Sequence, residues 1–140
     1  MGTLNQRQVV ITRRQLMGLM AALAIEFVLG ITLTSLINYQ PNKHSTVQNV
    51  FLILHIVVAL GILVGGIMRL LLAYKWQWLR IPSAIGLLSI LGALFAGSVA
   101  ANNGSDVGVF LMALFFLIAF ASYGYSMGAV NTMTAKIKHV

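Results

Sequence analysis

The chain has 140 residues, and only 11 of them are charged: nine Lys or Arg and two Asp or Glu. Charged residues make up 8% of the sequence, against roughly 25% in a typical soluble domain, while hydrophobic residues make up 59%. A soluble fold of about 150 residues leaves about 30% of its unfolded-chain surface exposed. The composition therefore argues against a soluble enzyme, a nucleic-acid binder or a disordered tail, and it predicts an integral membrane protein surrounded by the lipid bilayer.

Four apolar segments are each long enough to cross the ~30 Å hydrocarbon core of a membrane. In chain order they predict helices at about residues 15–37, 50–73, 81–101 and 107–129. The connections are short, so consecutive helices should be antiparallel neighbours. We therefore predict an all-α fold, an antiparallel four-helix transmembrane bundle that forms a single domain over residues 1–140.

Local signals mark the ends of these segments. Residues 38–43 (NYQPNK) form a turn-rich connection between the first two helices. Pro82 falls in the first turn of the third helix, where its missing N–H costs little. Asn103 and Gly104 interrupt the chain, and Ser105 or Asp106 can cap the fourth helix.

The basic residues predict the orientation. Lys43 alone lies on one side of the predicted bundle. The other eight lie on the opposite side: Arg7, Arg13, Arg14, Arg69, Lys75, Arg80, Lys136 and Lys138. Cytoplasmic loops carry the excess of Lys and Arg, so we expect a multi-pass cell-membrane protein with both termini cytoplasmic. Arg69 can snorkel toward the cytoplasmic edge. It also continues the three- and four-residue spacing of a protein-facing side of the second helix, which contains His55, Ala59, Ile62 and Gly66. Tyr74, Trp76 and Trp78 should form an inner interfacial aromatic belt.

Glu26 is the one acidic residue in the middle of a predicted span. A charge at the bilayer centre costs at least ~2.5–3.5 kcal/mol and is usually functional. Glu26 belongs to a stripe of residues that recur every four positions, and small residues in this stripe should let it pack closely against other helices. The stripe consists of Gly18, Ala22, Glu26, Gly30, Thr34 and Asn38. Two interpretations stay open, a neutral carboxyl hydrogen-bonded across helices and a proton- or cation-handling group.

His55 is the one histidine within a predicted span, near the outer end of the second helix. Counting from the predicted helix ends places it roughly 9 Å from Glu26 in depth. Direct contact then requires staggered helices, and Thr34 or a water could bridge the two side chains instead. We expect His55 to lie nearer Gly30 and Thr34, either as a neutral side chain in the polar core or as a ligand or proton relay.

Met112 on the fourth helix lies at almost the depth of His55. A His–Met pair across the bundle is one known way to bind haem, so His55 and Met112 are a candidate pair for haem b. The alternative is an ordinary packing face on this helix, made of Gly108, Met112, Phe116, Ala119 and Tyr123.

Two segments resemble the four-helix half-module of haem A synthase and related di-haem b cytochromes. Residues 54–61 (LHIVVALG) resemble the histidine-bearing second helix of these families, and residues 91–97 (LGALFAG) are similar to their third. The families carry a second histidine on the fourth helix, where Met112 is the nearest substitute. Residues 26–30 (EFVLG) together with His55 also resemble small uncharacterised bacterial four-helix membrane proteins over nearly the full chain.

Residues 24–32 (AIEFVLGIT) resemble the first helix of the small multidrug resistance transporters, four-helix dimers with one essential intramembrane Glu. The histidine on helix 2 and the absence of a Trp within helix 3 depart from that family.

The spans contain no carboxylate pair, Ser-His-Asp set or phosphate-binding Gly-Lys motif. We therefore expect a small integral membrane protein without a catalytic set, a subunit or degenerate haem-type bundle with a Glu26–His55 polar core. A proton-coupled small transporter using Glu26 and a haem b electron carrier using His55 are the alternatives. The expected partners are a second copy of the chain or a membrane complex, not nucleic acid, and no metal site is expected.

Overall fold

The architecture is that of a computed structural model, which describes residues 5–39 and 46–137. These residues form four α-helices: α1 (Gln6–Tyr39), α2 (Thr46–Lys75), α3 (Arg80–Asn103) and α4 (Asp106–Ile137). Each helix contains a segment long and apolar enough to cross a membrane. The predicted all-helical fold with four spans is thereby confirmed, whereas Lys43, Lys138 and most of the predicted first connection lie outside the described residues.

The helices are longer than the apolar segments that predicted them. The largest difference is at α1, which begins at Gln6 rather than near residue 15. Asn5 and Gln8 form a reciprocal capping box: each backbone N–H donates to the other residue's side-chain oxygen at 2.9 Å. This pairing satisfies N–H groups that have no partner within the helix, so the helix starts well before the chain becomes hydrophobic.

Both predicted signals between α3 and α4 act as helix caps. Gly104 has φ 61°, in the left-handed region, and its N–H donates to the carbonyl of Ala100 at 2.9 Å. Ser105 then caps α4, since its Oγ accepts a hydrogen bond from the Gly108 N–H at 3.2 Å. Asp106 is in the first turn of α4, where a negative charge interacts favourably with the helix dipole.

The turn between α2 and α3 is strained and buries an aromatic side chain. Gln77 and Leu79 both have positive φ, 58° and 54°, which costs about 1–3 kcal/mol for each non-glycine residue. Trp78 between them is only 6% exposed and belongs to the hydrophobic core. The predicted interfacial belt is therefore wrong for Trp78, because the turn directs its ring inward. Tyr74 is exposed, and the Arg80 guanidinium lies over its ring. The distance from Arg80 Cζ to the ring centroid is 5.4 Å.

Each helix packs against two others, so that α1 and α3 both lie between α2 and α4. The buried side of α1 alternates three- and four-residue steps: Val9, Thr12, Leu16, Leu19, Leu23 and Glu26. This is the seam of a left-handed helical bundle. The predicted four-residue stripe is only partly correct, because Gly18 is exposed while Glu26 is buried. A strict four-residue repeat drifts around a helix with 3.6 residues per turn.

Large apolar side chains cover the outside of all four helices, as Val28, Leu60, Phe95 and Phe110 illustrate. A soluble monomer rarely exposes so much contiguous apolar surface, whereas lipid is a suitable environment for it. The chain is accordingly a multi-pass membrane protein.

Candidate functional site

The site joins α1 and α2 through a contact between Glu26 and His55. His55 Nδ1 lies 3.0 Å from Glu26 Oε1. The Glu26 side chain is 8% exposed and that of His55 is 25% exposed, so the carboxyl is in the protein interior and the imidazole at its edge. The N–O distance is that of an ion pair, but the alignment falls short of hydrogen-bond geometry, and Glu26 Oε2 has no partner among the described residues.

The His55 imidazole packs against α1 beside Gly30. A Cβ atom built at Gly30 would lie 3.7 Å from His55 Cε1, which is ordinary van der Waals contact. Gly30 is one turn, about 6 Å along the axis, beyond Glu26, so the ring reaches back to the carboxyl. The two side chains are therefore in direct contact despite the predicted depth offset of roughly 9 Å.

Neither Thr34 nor Met112 takes part in this contact. The Thr34 hydroxyl donates to the Gly30 carbonyl at 2.9 Å, a bond within its own helix, and Glu26 and His55 meet directly rather than through Thr34. The Met112 sulfur packs against α3, 3.1 Å from a Cβ atom built at Gly97. The predicted packing face on α4 is buried or half-buried at Gly108, Met112, Phe116, Ala119 and Tyr123.

The contact brings together two groups that can each bind and release a proton, a carboxyl and an imidazole. Each group can be charged or neutral, and in each form it offers a donor or an acceptor to the other. Residues 5–39 and 46–137 contain no group of three or more His, Asp or Glu that could hold a metal ion. The chemistry available within the described residues is therefore that of proton binding and, at the imidazole, of single-ligand coordination.

Arg69 is a second polar group, and it lies on the protein-facing side that its spacing predicts. It is 1% exposed, so the expected snorkelling toward the membrane edge is wrong. None of its three side-chain nitrogens has a hydrogen-bond partner among the described residues. The available signal is its spacing: Ile62, Gly66, Arg69 and Ala73 recur at three- and four-residue steps and are all buried.

No protein-family model, curated protein or solved structure matches this chain. The fold and the site therefore define it only as a class, a four-helix membrane protein with an acid–histidine contact between its first two helices. The resemblances to haem A synthase and to the multidrug transporters stay predictions.

Proposed function

We propose that this chain is a small integral membrane protein whose Glu26–His55 pair forms an intramembrane polar core that binds and releases a proton. The observation that carries the proposal is the 3.0 Å separation of Glu26 Oε1 and His55 Nδ1. Intramembrane ionisable residues are costly to bury and usually mark proton or ion pathways. Only Glu26 and Asp106 carry side-chain carboxyls in this sequence, and packing alone gives no reason for one of them to meet the one histidine within the spans.

The proposed arrangement is an antiparallel bundle with both termini in the cytoplasm. The order of the helix contacts supports alternating directions. Leu19 on α1 contacts Gly65 on α2, and Glu26, seven residues later on α1, contacts His55, ten residues earlier on α2. The same reversed order holds for α3 against α4, in the pairs Ala100–Gly108, Gly97–Met112, Gly92–Phe115 and Gly86–Tyr123. The basic residues then support a cytoplasmic location for both termini.

A proton bound by a carboxyl and an imidazole that act as a unit belongs to the pair rather than to either residue. We therefore expect the environment of the Glu26 carboxyl to change when His55 is replaced, even though the carboxyl itself is untouched. A packing role alone requires no such coupling.

Infrared spectroscopy of the purified protein in lipid vesicles tests this directly. The chain has just two side-chain carboxyls, so the carbonyl band of a protonated acid can be assigned with two variants. A pH titration of wild type should show a carboxyl band that Glu26→Gln removes and Asp106→Asn keeps. In His55→Gln the same band should change frequency, because the carboxyl loses its partner. The proposal is contradicted if Glu26→Gln removes no titrating band, or if the band that it removes keeps its frequency in His55→Gln.

In the transporter version of this proposal, proton binding at the pair is coupled to the movement of a second substrate. Its test is proton-coupled efflux of a lipophilic cation from proteoliposomes with an imposed pH gradient. Transport should be lost in Glu26→Gln and kept in Asp106→Asn. Equal flux from wild type and Glu26→Gln removes Glu26 from any transport cycle, without bearing on proton binding itself.

A haem b site at His55 is the second candidate, and one observation favours it. The Glu26 carboxylate approaches Nδ1, which leaves Nε2 as the nitrogen that would hold the haem iron, and carboxylates commonly orient ligating histidines in this way. Met112 packs on α3, so of the predicted pair only His55 would hold the group, which would supply electron transfer. The absorption spectrum of wild type after haem supplementation should contain a Soret band that His55→Gln abolishes. A wild-type spectrum without that band excludes this candidate.

A further inference from the structure

A second buried polar pair lies between α2 and α4. Arg69 is 1% exposed and Tyr123 is completely buried. The guanidinium nitrogens and the Tyr123 hydroxyl all lack hydrogen-bond partners among the described residues, although the two groups are near enough to interact electrostatically. The Tyr123 oxygen lies 3.3 Å from a Cβ atom built at Gly66, one turn before Arg69. Since helical side chains point toward the N-terminus of their helix, Arg69 is directed toward this hydroxyl.

Neither side-chain carboxyl of the chain lies near Arg69. Its two acidic side chains are those of Glu26 and Asp106. Glu26 contacts His55, fourteen residues before Arg69 on α2 and roughly 21 Å along the axis. Asp106 is in the first turn of α4, seventeen residues before Tyr123, or roughly 25 Å. Arginine keeps its charge in proteins, so this buried charge is not neutralised by any side-chain carboxylate of the chain.

We propose that Arg69 and Tyr123 form an anion-binding site inside the bundle, which takes the carboxylate group of a small ligand. A single guanidinium balances one negative charge, and its planar fork matches the two oxygens of a carboxylate. The Tyr123 hydroxyl adds a third donor. A doubly charged phosphate would leave an excess charge in the apolar core, which is strongly unfavourable.

The ligand can come from water or from the membrane. Arg69 lies six residues before the end of α2 at Lys75, about 9 Å along the axis, so the site is near the membrane boundary. Exposed basic residues in α1 and at the end of α2 would raise the local anion concentration at that boundary: Arg7, Arg13, Arg14 and Lys75. Both a soluble carboxylate and the head of a fatty acid carry the recognised group.

The test uses purified full-length protein in neutral detergent with two carboxyl-labelled probes, ¹³C-acetate and ¹³C-laurate, at constant ionic strength in sodium chloride. Binding is followed by the carboxyl resonance and by the thermal unfolding midpoint. Wild type should bind at least one probe saturably. Arg69→Gln should weaken binding by at least about tenfold and Tyr123→Phe by about threefold or more, since hydrogen bonds to charged groups are the strongest of those lost. Tyr125→Phe, which removes an exposed hydroxyl from the same helix as Tyr123, should leave the affinity unchanged.

The outcomes separate the sources and can overturn the site. If laurate binds and acetate does not, the ligand is a fatty acid from the membrane. If both bind, the site recognises the carboxylate group alone. The proposal is wrong if neither probe binds wild type saturably, if Arg69→Gln binds as wild type does, or if chloride competes equally with the carboxylate. Should Arg69→Gln not fold, Tyr123→Phe and direct binding to wild type decide. Binding should be unchanged in Glu26→Gln, so failure here is distinct from failure at the Glu26–His55 pair.

Discussion

Tyr123 on α4 fills the space left by Gly86 on α3. A Cβ atom built at Gly86 would lie 2.5 Å from the Tyr123 ring carbon Cζ and 2.9 Å from two further ring carbons. Real Cβ atoms do not approach so closely, and the ring is fully buried, so it has no free direction in which to move. The hydroxyl end of the same ring meets Gly66 on α2. One tyrosine therefore connects three helices and relies on two glycines.

Gly86→Ala should destabilise the bundle by about 1–3 kcal/mol, the usual cost of overpacking a tight core. Unfolding in a mixed detergent titration, followed by circular dichroism, measures this change. Gly61→Ala is the matched control, because nothing lies within 4 Å of its added methyl group and alanine favours helix by about 0.5–1 kcal/mol. Equal stability of the two variants would contradict the close approach at Gly86.

The α3–α4 contact near the short connection should be equally intolerant of an added side-chain carbon at Gly108. A Cβ atom at Gly108 would lie 2.9 Å from the backbone nitrogen of Ala100 and 3.0 Å from its Cα. Backbone atoms cannot rotate away, so Gly108→Ala should force the two helices apart and cost about 1–3 kcal/mol. Gly124→Ala, with its nearest atom at 3.9 Å, is the control in the same helix. Comparable unfolding midpoints for both variants would argue against the contact.

Gln77→Gly should stabilise the turn between α2 and α3. Gln77 is exposed and has φ 58°, a conformation that glycine adopts without a steric penalty. The gain should be about 0.5–1 kcal/mol, since relief of strain is partly offset by the greater freedom of glycine in the unfolded chain. Gln77→Ala removes the same polar side chain and keeps the positive-φ strain, so its stability should stay near that of wild type. A glycine variant no more stable than the alanine variant would mean that φ is not strained here.

Asn5→Ala should loosen the first turns of α1. It removes the side-chain acceptor for the Gln8 N–H, and loss of such a cap costs about 0.5–2 kcal/mol. Amide hydrogen exchange should therefore accelerate at the start of α1 while residues around Glu26 keep their protection. Gln6→Ala, at an exposed position in the same turn, should leave exchange unchanged.

The Glu26–His55 contact should produce a measurable coupling energy. In a double-mutant cycle with Glu26→Gln and His55→Phe, residues in direct contact typically deviate from additivity by about 0.5–3 kcal/mol. The sign of the deviation distinguishes a stabilising pair from a strained one. A matched cycle of Glu26→Gln with Ser98→Ala, an exposed change on α3, should be additive. Additivity in both cycles would show that the two side chains do not interact energetically.

The sequence predicts correctly those parts of the fold that depend on hydrophobicity and on local capping residues. Four apolar segments locate the four helices, and Gly104 and Ser105 locate a boundary to the residue. The start of α1 escapes prediction because a capping box of Asn5 and Gln8 is polar, so hydropathy gives no sign of it. Trp78 is expected at the interface because aromatic residues near a basic cluster usually lie there, whereas the conformation of the turn directs it inward.

At the candidate site, residue type is informative and sequence spacing is not. The scarcity of intramembrane charges is enough to single out Glu26 and His55 from the sequence alone. Their direct contact cannot be foreseen in that way, since it depends on helix lengths to within one turn. Arg69 is expected at the membrane edge because of its position near the end of a span, although its spacing with Gly66 and Ala73 indicates the buried face.

The first and last helices, α1 and α4, are longer than the hydrocarbon core of a bilayer is thick. α1 has 34 residues and α4 has 32, which gives about 51 Å and 48 Å at 1.5 Å per residue, whereas a hydrocarbon core is about 30 Å thick. Val9 and Val130 are both buried toward those ends, so the two helices stay packed together there. A binding partner in the aqueous phase would therefore meet a packed pair of helices at that end, and a probe attached at Arg7 would report the tilt of α1.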